Sequence, residues 1–432
     1  MADAERSKIV QAARKYGEKF KAALPADKAP VSGKVFDGEE LAGAVEAVLD
    51  GWWTEAEYSA QFEQGLEKFV GTKHCLTVNS GSSANLVAFY SLTSRKLGGR
   101  RIRKGDEVVS VAAAFPTTVN PIIQYGCVPV FVDVELGTYN ASLDAVEDAI
   151  TDKTKAIFLA HTLGNPFEAD KIRKLADEHG LWLVEDACDA LGSKLRGKMA
   201  GTFGHVSTLS FYPAHQITTA EGGAVLSSDP LLDKIARSVR DWGRDCWCPT
   251  GKDDSCKKRF GWKLGNLPQG YDHKYTYSEI GYNLKMTDIQ AAIGTAQLKK
   301  LPGFVEKRRE NFGYLKKRFA EEGLDARFLL PKEAPGSEPS WFGFPLTITD
   351  GTDRTNLLKF LDSHGVGNRL LFAGNITKQP YFVDNKPDCR VHGSLSNTDT
   401  IMEKTFWIGV YPALEKQNLD YAVSKFKQFF QA

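Results

Sequence analysis

Between about residues 70 and 230 the chain alternates short aliphatic runs with stretches of helical periodicity. The apolar runs predict strands at 74–78, 107–111, 128–134, 156–161, 181–185, 207–211 and 224–227. A helix is predicted over 60–70, where Phe62, Leu66, Phe69 and Val70 recur on one face. Most of the strands lack strict alternation, the pattern of strands buried on both faces of a mostly parallel sheet. Alternating βα units of this kind predict an α/β sandwich. The first large domain is placed at 38–300, behind an N-terminal helical arm at 1–37. After about residue 300 the pattern changes to a long charged helix (301–322), a Pro/Gly-rich link at 331–339, a strand at 341–348, a helix at 352–364 and a last helix near 419–430. That succession predicts a smaller C-terminal α+β domain at 301–432. Residues 245–272 show no period and predict a long irregular loop, a feature that in compact domains usually carries function.

Charge and composition narrow the classes. Lys+Arg total 55 against 54 Asp+Glu, a net charge of +1, so no nucleic-acid footprint or membrane-adsorbed surface is indicated. No apolar run is long enough for a spanning helix, and the N-terminus lacks the apolar core of a secretory signal. A cytoplasmic enzyme is expected. The seven cysteines are an odd number in a large chain and read as reduced thiols, yet Cys246, Cys248 and Cys256 fall within eleven residues of one another.

Three segments carry candidate chemistry. Asn79-Ser80-Gly81-Ser82-Ser83 follows a strand and opens a helix; small residues and free N–H groups there suit a phosphate, although the same pattern also serves as a simple cap. Glu185 and Asp186 end a buried strand, where ligands of open α/β sheets sit. A buried carboxylate needs a cation, such as a protonated pyridine nitrogen; a helix-capping acid is the plainer reading. The third segment runs from Ser207 through Ser210 and His215 to Glu221-Gly222-Gly223. Read alone, His215 is a structural histidine.

In this order and spacing, together with Gly281-Tyr282-Asn283 near the domain junction, these segments resemble the sugar aminotransferases of the DegT/DnrJ/EryC/StrS type. The resemblance spans nearly the whole chain. It implies the fold-type I architecture of pyridoxal-phosphate-dependent aminotransferases and a homodimer. His215 stands where the family has the lysine that anchors pyridoxal phosphate. An imidazole forms no imine, so the cofactor is expected to bind non-covalently as pyridoxamine phosphate, with His215 as a proton-transfer base. By the same resemblance Asp186 pairs with the pyridine nitrogen, Phe115 stacks on the ring, and Gly81, Ser82 and Ser210 contact the phosphate. Asn283 reaches it from the partner subunit. Asp189 falls where relatives carry Gln or His beside the ring hydroxyl, a departure that leaves its role open.

Histidine at this position marks the family's dehydratases, which remove the C3 hydroxyl of a nucleotide-linked 4-keto-6-deoxyhexose in dideoxysugar and O-antigen synthesis. One class of them carries a 2Fe–2S cluster on Cys-X57-Cys-X-Cys-X7-Cys. Here 57 residues separate Cys188 from Cys246, one separates Cys246 from Cys248 and seven separate Cys248 from Cys256. Four thiolates suit a 2Fe–2S cluster; they also suit zinc, whose structural sites favour closely paired cysteines. The resemblance further implies a separate NADH-dependent flavin and iron–sulfur reductase. Lys252, Lys257, Lys258, Arg259 and Lys263 of the loop are candidates to dock it. Thr54, Arg369 and Arg390 are candidate substrate contacts. A CDP-linked sugar is favoured, with a dTDP-linked one as the alternative. The rivals are a pyridoxal-phosphate sugar aminotransferase using Lys194 or Lys198, and a metal-dependent scaffold without activity.

Overall fold

The computed structural model describes residues 2–21, 23–248 and 250–431. Its centre is an eight-stranded sheet built from β1 (His74–Val78), β2 (Glu107–Val111), β3 (Val128–Val132), β4 (Thr154–Ala160), β5 (Trp182–Asp186), β6 (Val206–Ser210) and β7 (Gly223–Ser227), with Arg390–Val391 beside β3 as the eighth strand. The spatial order is β1-β7-β6-β5-β4-β2-β3, then Arg390–Val391. Only β7 runs against its neighbours; the remaining pairs are parallel. Every residue of β2, β5, β6 and β7 is buried, which is why their sequences show no strict apolar/polar alternation and carry buried Ser, Thr, Glu and Asp among the aliphatic residues.

Helices cover the sheet. α1 (Ala2–Gly17) packs on α2 (Gly38–Leu49), α3 (Glu57–Val70) precedes β1, α4 (Gly81–Ser91) follows it, and α5 (Pro116–Tyr125) follows β2. Smaller antiparallel strands, Phe328–Leu329, Gly343–Ile348, Asn368–Leu370 and Thr405–Gly409, form the second sheet. The large domain with a mostly parallel sheet and the smaller C-terminal α+β unit are thus as the sequence predicts.

The boundary expected at residue 300 falls within a helix. A single helix runs from Asp288 to Glu321 through Pro302. Proline removes one backbone donor and crowds one turn, a cost that flanking packing offsets here. Ala291, Leu301 and Val305 join the core of the large domain, whereas Phe312, Leu315 and Phe319 join that of the small one. The start of this helix is pinned by buried Asp288, which accepts from the N–H groups of Ala56 (2.7 Å), Tyr58 (3.1 Å) and Ser59 (3.1 Å) and from the Ser59 hydroxyl (2.7 Å). Residues 241–272 contain no helix or strand among those described, so the irregular loop is as expected.

Candidate active site

A cavity of about 1010 Å³ opens at the carboxyl ends of the parallel strands. Its floor and one wall come from α4. Ser80 caps this helix by accepting from the Ser83 N–H (3.1 Å), so the first N–H groups of α4 face the cavity. Gly81 has no room for a side chain: a Cβ there would lie 2.5 Å from the Ser210 Cβ and 2.7 Å from its Oγ. Glycine therefore lets the helix start and the end of β6 close into one cradle, with Ser82 and Ser210 on its rim. Free N–H groups, hydroxyls and a helix N-terminus form an anion site.

Asp186 ends β5 at the bottom of the cavity and is 5% exposed. Its Oδ2 accepts from Asn85 Nδ2 (2.8 Å) and the Thr118 hydroxyl (2.7 Å), and its Oδ1 accepts from the Cys188 N–H (3.1 Å). Asn85 is oriented in turn by the Thr208 hydroxyl, which donates to its Oδ1 at 2.7 Å. The neighbouring Glu185 points the other way into the fold. It accepts from the N–H groups of Gly201 (2.5 Å), Phe203 (3.0 Å) and Gly204 (2.8 Å) and the Ser207 hydroxyl (3.1 Å), and contacts His161 Nε2 at 2.7 Å. Burial alone would raise its pKa, but these donors hold the carboxyl below the ordinary value. The Phe167 N–H donates to His161 Nδ1 (3.2 Å), which leaves Nε2 as the ring nitrogen that donates to Glu185.

His215 lies in the turn after β6 and lines the same cavity. Its ring is tilted against Phe342, with centroids 5.0 Å apart. Buried Arg308 of the long helix braces this turn, donating to the carbonyls of Ala214 (3.3 Å), His215 (3.0 Å), Trp341 (3.1 Å) and Phe342 (3.2 Å). Burial, then the Arg308 cation, push the imidazole down to about 3. Burial, then the Asp186 charge, push Asp189 up to about 8. His215 Nδ1 and Asp189 Oδ1 are 3.4 Å apart, yet Nδ1 has no hydrogen-bond partner. Near pH 7 this is a neutral base beside a largely neutral acid, not an ion pair.

Phe115, half exposed, stands at the mouth of the cavity as the residue before α5. The cavity thus brings together Gly81, Ser82, Phe115, Asp186, Asp189, Ser210 and His215, and adds Cys188 and Arg369. No lysine lines it among the described residues; Lys194 and Lys198 sit on a small hairpin outside. The donor set fits pyridoxamine phosphate: an anion cradle, a buried carboxylate for a ring nitrogen and an aromatic wall. Phe342, Phe372, Tyr381 and Trp407 of the C-terminal region complete the lining and carry no motif that marks them in the sequence.

Other candidates lie elsewhere. Arg390 is not a cavity residue: its guanidinium donates to Glu107 Oε2 (2.8 Å) and to the Ala149 carbonyl (2.7 Å), which fastens the sheet edge. Thr54 is exposed outside the cavity, and so is Asn283, whose Oδ1 accepts from Lys285 (2.8 Å). Arg259 forms a surface ion pair with Asp272 at 2.8 Å. The four cysteines do not converge within the chain. Cys246, Cys248 and Cys256 line one small hollow of the loop, whereas Cys188 faces the large cavity, its Sγ 3.8 Å from the Thr208 hydroxyl. Among the described residues no group of three or more His, Cys, Asp or Glu is arranged to hold a metal ion. Burial opposes ionisation of Cys248, but Ser255 and the neighbouring cysteines bring its thiol down to about 7.

The chain matches the DegT/DnrJ/EryC1/StrS aminotransferase family over residues 36–427. It is 56% identical over 406 residues to the lipopolysaccharide biosynthesis protein RfbH of Salmonella typhimurium, covering 93% of this chain and 91% of that one. It is 51% identical to the dTDP-4-dehydro-2,6-dideoxy-D-glucose 3-dehydratase of Saccharopolyspora spinosa, over 92% of this chain and 86% of that one. Its fold is similar to that of Escherichia coli GDP-4-keto-6-deoxy-D-mannose-3-dehydratase with bound hydrated PLP: the TM-score is 0.82 at 29% identity, over 92% of this chain and 99% of the other. No helix among the described residues is long and apolar enough to cross a membrane. By the extent of the match and by these relatives, this chain belongs to the DegT/DnrJ/EryC1/StrS aminotransferase family.

Proposed function

We propose that this protein is a pyridoxamine-phosphate-dependent 3-dehydratase of a nucleotide-linked 4-keto-6-deoxyhexose. The observation that carries the reading is a histidine, with no lysine among the described residues, lining a cavity that also holds Asp186 and an anion cradle. Two relatives with dehydratase names support it. When bound, pyridoxamine phosphate supplies the amine that condenses with the C4 ketone and a ring that takes up negative charge. The chain's own contributions follow from geometry. Gly81, Ser82 and Ser210 hold the phosphate, Asp186 keeps the ring nitrogen protonated and Phe115 covers one ring face. His215, neutral at pH 7, accepts a proton and returns one to the departing C3 hydroxyl. Arg308 holds the turn that carries His215, and the aromatic wall of the C-terminal region excludes water.

CDP-4-keto-6-deoxy-D-glucose is the substrate of this reading. A dTDP-linked sugar is the second, supported by the relative of that name at 51% identity. The reading includes a 2Fe–2S cluster on Cys188, Cys246, Cys248 and Cys256, supported by their spacing and by the three thiols gathered in the loop. It also includes a homodimer and a separate NADH-dependent flavin reductase; the chain has no G-x-G-x-x-G fingerprint placed to bind the nucleotide itself. The test is incubation of protein and pyridoxamine phosphate with CDP- and dTDP-linked 4-keto-6-deoxyhexoses, read by mass spectrometry for loss of the C3 oxygen. Borohydride treatment with pyridoxal phosphate, followed by peptide mapping, is the companion experiment. A tagged lysine together with transfer of an amino group to the sugar would replace the dehydratase by an aminotransferase.

A further inference from the structure

The placement of the cysteines conflicts with a cluster built by one chain. A Cβ on Gly81, at the start of α4, would lie 3.2 Å from the Cys188 Sγ, so Cys188 sits at the N-terminal end of that helix. The loop sets out from near its other end, and its three cysteines line a hollow apart from the cavity that holds Cys188. Asp245, which precedes Cys246, contacts Lys96 at 3.4 Å, and Lys96 lies in the 3-10 segment Arg95–Arg100 beyond the C-terminus of α4. The eleven residues of α4 alone span about 16 Å. Four sulfur ligands of one small cluster must instead converge on two adjacent irons.

The loop is also fastened where it is. Asp245 accepts from the Ser278 hydroxyl (2.7 Å) and contacts His273 Nε2 (3.0 Å), and the Lys234 ammonium stands 4.2 Å above the Trp247 ring. Trp52 packs over Gly251, and Thr250 donates to Glu55 at 3.1 Å. Closing the loop onto its own Cys188 would break this whole set. At the two ends of the loop the chain leaves apolar side chains uncovered: Trp242, Tyr275 and Tyr277 are about half exposed and Ile280 is 85% exposed. An exposed apolar patch of this kind marks a protein contact. The cavity that holds Cys188 is open, with the exposed rings of Phe115 and Tyr212 among its lining residues.

We infer that the four-thiol set is completed between two copies of this chain: Cys246, Cys248 and Cys256 of one protomer face Cys188 of the other. A two-fold axis makes the arrangement reciprocal, so a dimer holds two such sites and a monomer none. Trp242, Tyr275, Tyr277 and Ile280 then lie in the contact that brings the loop to the partner's cavity. This inference rests on the cluster reading above and places its ligands.

Complementation between chains tests it. Differently tagged Cys188→Ser and Cys246→Ser chains are co-expressed, and the mixed dimer is isolated through both tags. One of its two shared sites then has all four thiols and the other lacks two. After anaerobic reconstitution, iron and sulfide at about half the wild-type content per dimer are expected in the mixed dimer, with the EPR signal of the reduced cluster, while each parental homodimer holds none. A mixed dimer without iron, beside a wild-type protein that carries it, would show that each cluster draws on a single chain and would overturn the inference. A wild-type protein that takes up no iron and sulfide would overturn the cluster reading itself, and this inference with it. A wild-type protein that binds the cluster as a monomer in light scattering would overturn the sharing alone.

Discussion

The cavity around His215 and the cysteine loop are both built from polar groups, but they are held in different ways. In the cavity the functional side chains sit at or just beyond the ends of regular elements, where buried donors brace Asp186 through Asn85, Thr118 and the Cys188 N–H and the turn of His215 through Arg308. Between Asp241 and Asp272 no regular element fixes the loop, which hangs on surface contacts at Lys96, Lys234 and Trp52. A site assembled on a scaffold can be complete in one chain. A set of ligands on such a loop has no regular element of its own to complete it. The two regions should therefore respond differently to substitution: cavity changes alter chemistry and stability together, and loop changes alter only what the loop holds.

The largest effect is expected from His215→Asn. The amide has a similar shape but does not exchange a proton near neutral pH, and loss of general acid–base catalysis costs about 10²- to 10⁴-fold in kcat. Affinity for pyridoxamine phosphate, followed by the cofactor's absorbance, should stay within about threefold of wild type. An equal loss of cofactor affinity would mean that His215 shapes the cavity and does not act on the proton.

Arg308→Met should come next. It removes a buried cation that donates to four carbonyls and leaves those of Ala214 and His215 without this partner. The turn shifts, and a displacement of about 1 Å at a reacting group lowers kcat on the order of 10²-fold. Arg308→Lys, which retains charge and three donors, should recover part of the loss. A purely structural role would lower stability in both variants without separating kcat from KM.

Glu185→Gln breaks the comparison on the side of stability. The amide presents an NH₂ where the carboxylate accepts from the N–H groups of Phe203 and Gly204 or that of Gly201. The expected loss is about 3 kcal/mol, read from the urea midpoint. Replacing Cys246, Cys248 and Cys256 by serine should change the same midpoint by less than about 0.5 kcal/mol, because these thiols support no core. If the loop variants destabilise as much as Glu185→Gln, the loop is part of the scaffold and the contrast fails.

How much of this was legible in the sequence follows the same division. The parallel strands were readable because burial on both faces gives short aliphatic-rich runs without strict alternation, and the cradle was readable because Gly81 and Ser80 occupy positions that only a tight helix start requires. A helix was read only from residue 301, whereas packing against two cores carries one helix from Asp288 through Pro302 to Glu321. Arg308 was missed since a single arginine in a charged helix pattern reads as solvated surface, and its four carbonyl partners lie in distant segments. Arg390 read as a substrate contact for the same reason: Glu107, its partner, is 283 residues away. The cysteine spacing supplies a ligand list and leaves open which chain provides each member.

The smallest effect sharpens the contrast through pH. His205 lies beside the scaffold strand β5, its side chain packed edge-on to Trp182. Its Nδ1 accepts from the Leu183 N–H at 2.9 Å, so protonating that nitrogen would break a backbone bond. Burial, and after it the Arg173 cation, lower its pKa from 6.5 to about 4. The folded state thus binds fewer protons than the unfolded one between those values, and stability falls as pH drops through 6.5 toward 4. Between pH 7.5 and 5 the His205 contribution should amount to about 2 kcal/mol. His205→Asn keeps an acceptor for Leu183 but does not titrate, so the difference in unfolding free energy between the two pH values should shrink by that amount in the variant. An unchanged difference would mean that His205 is protonated in the fold, and that the acid sensitivity of the scaffold arises from its carboxylates instead.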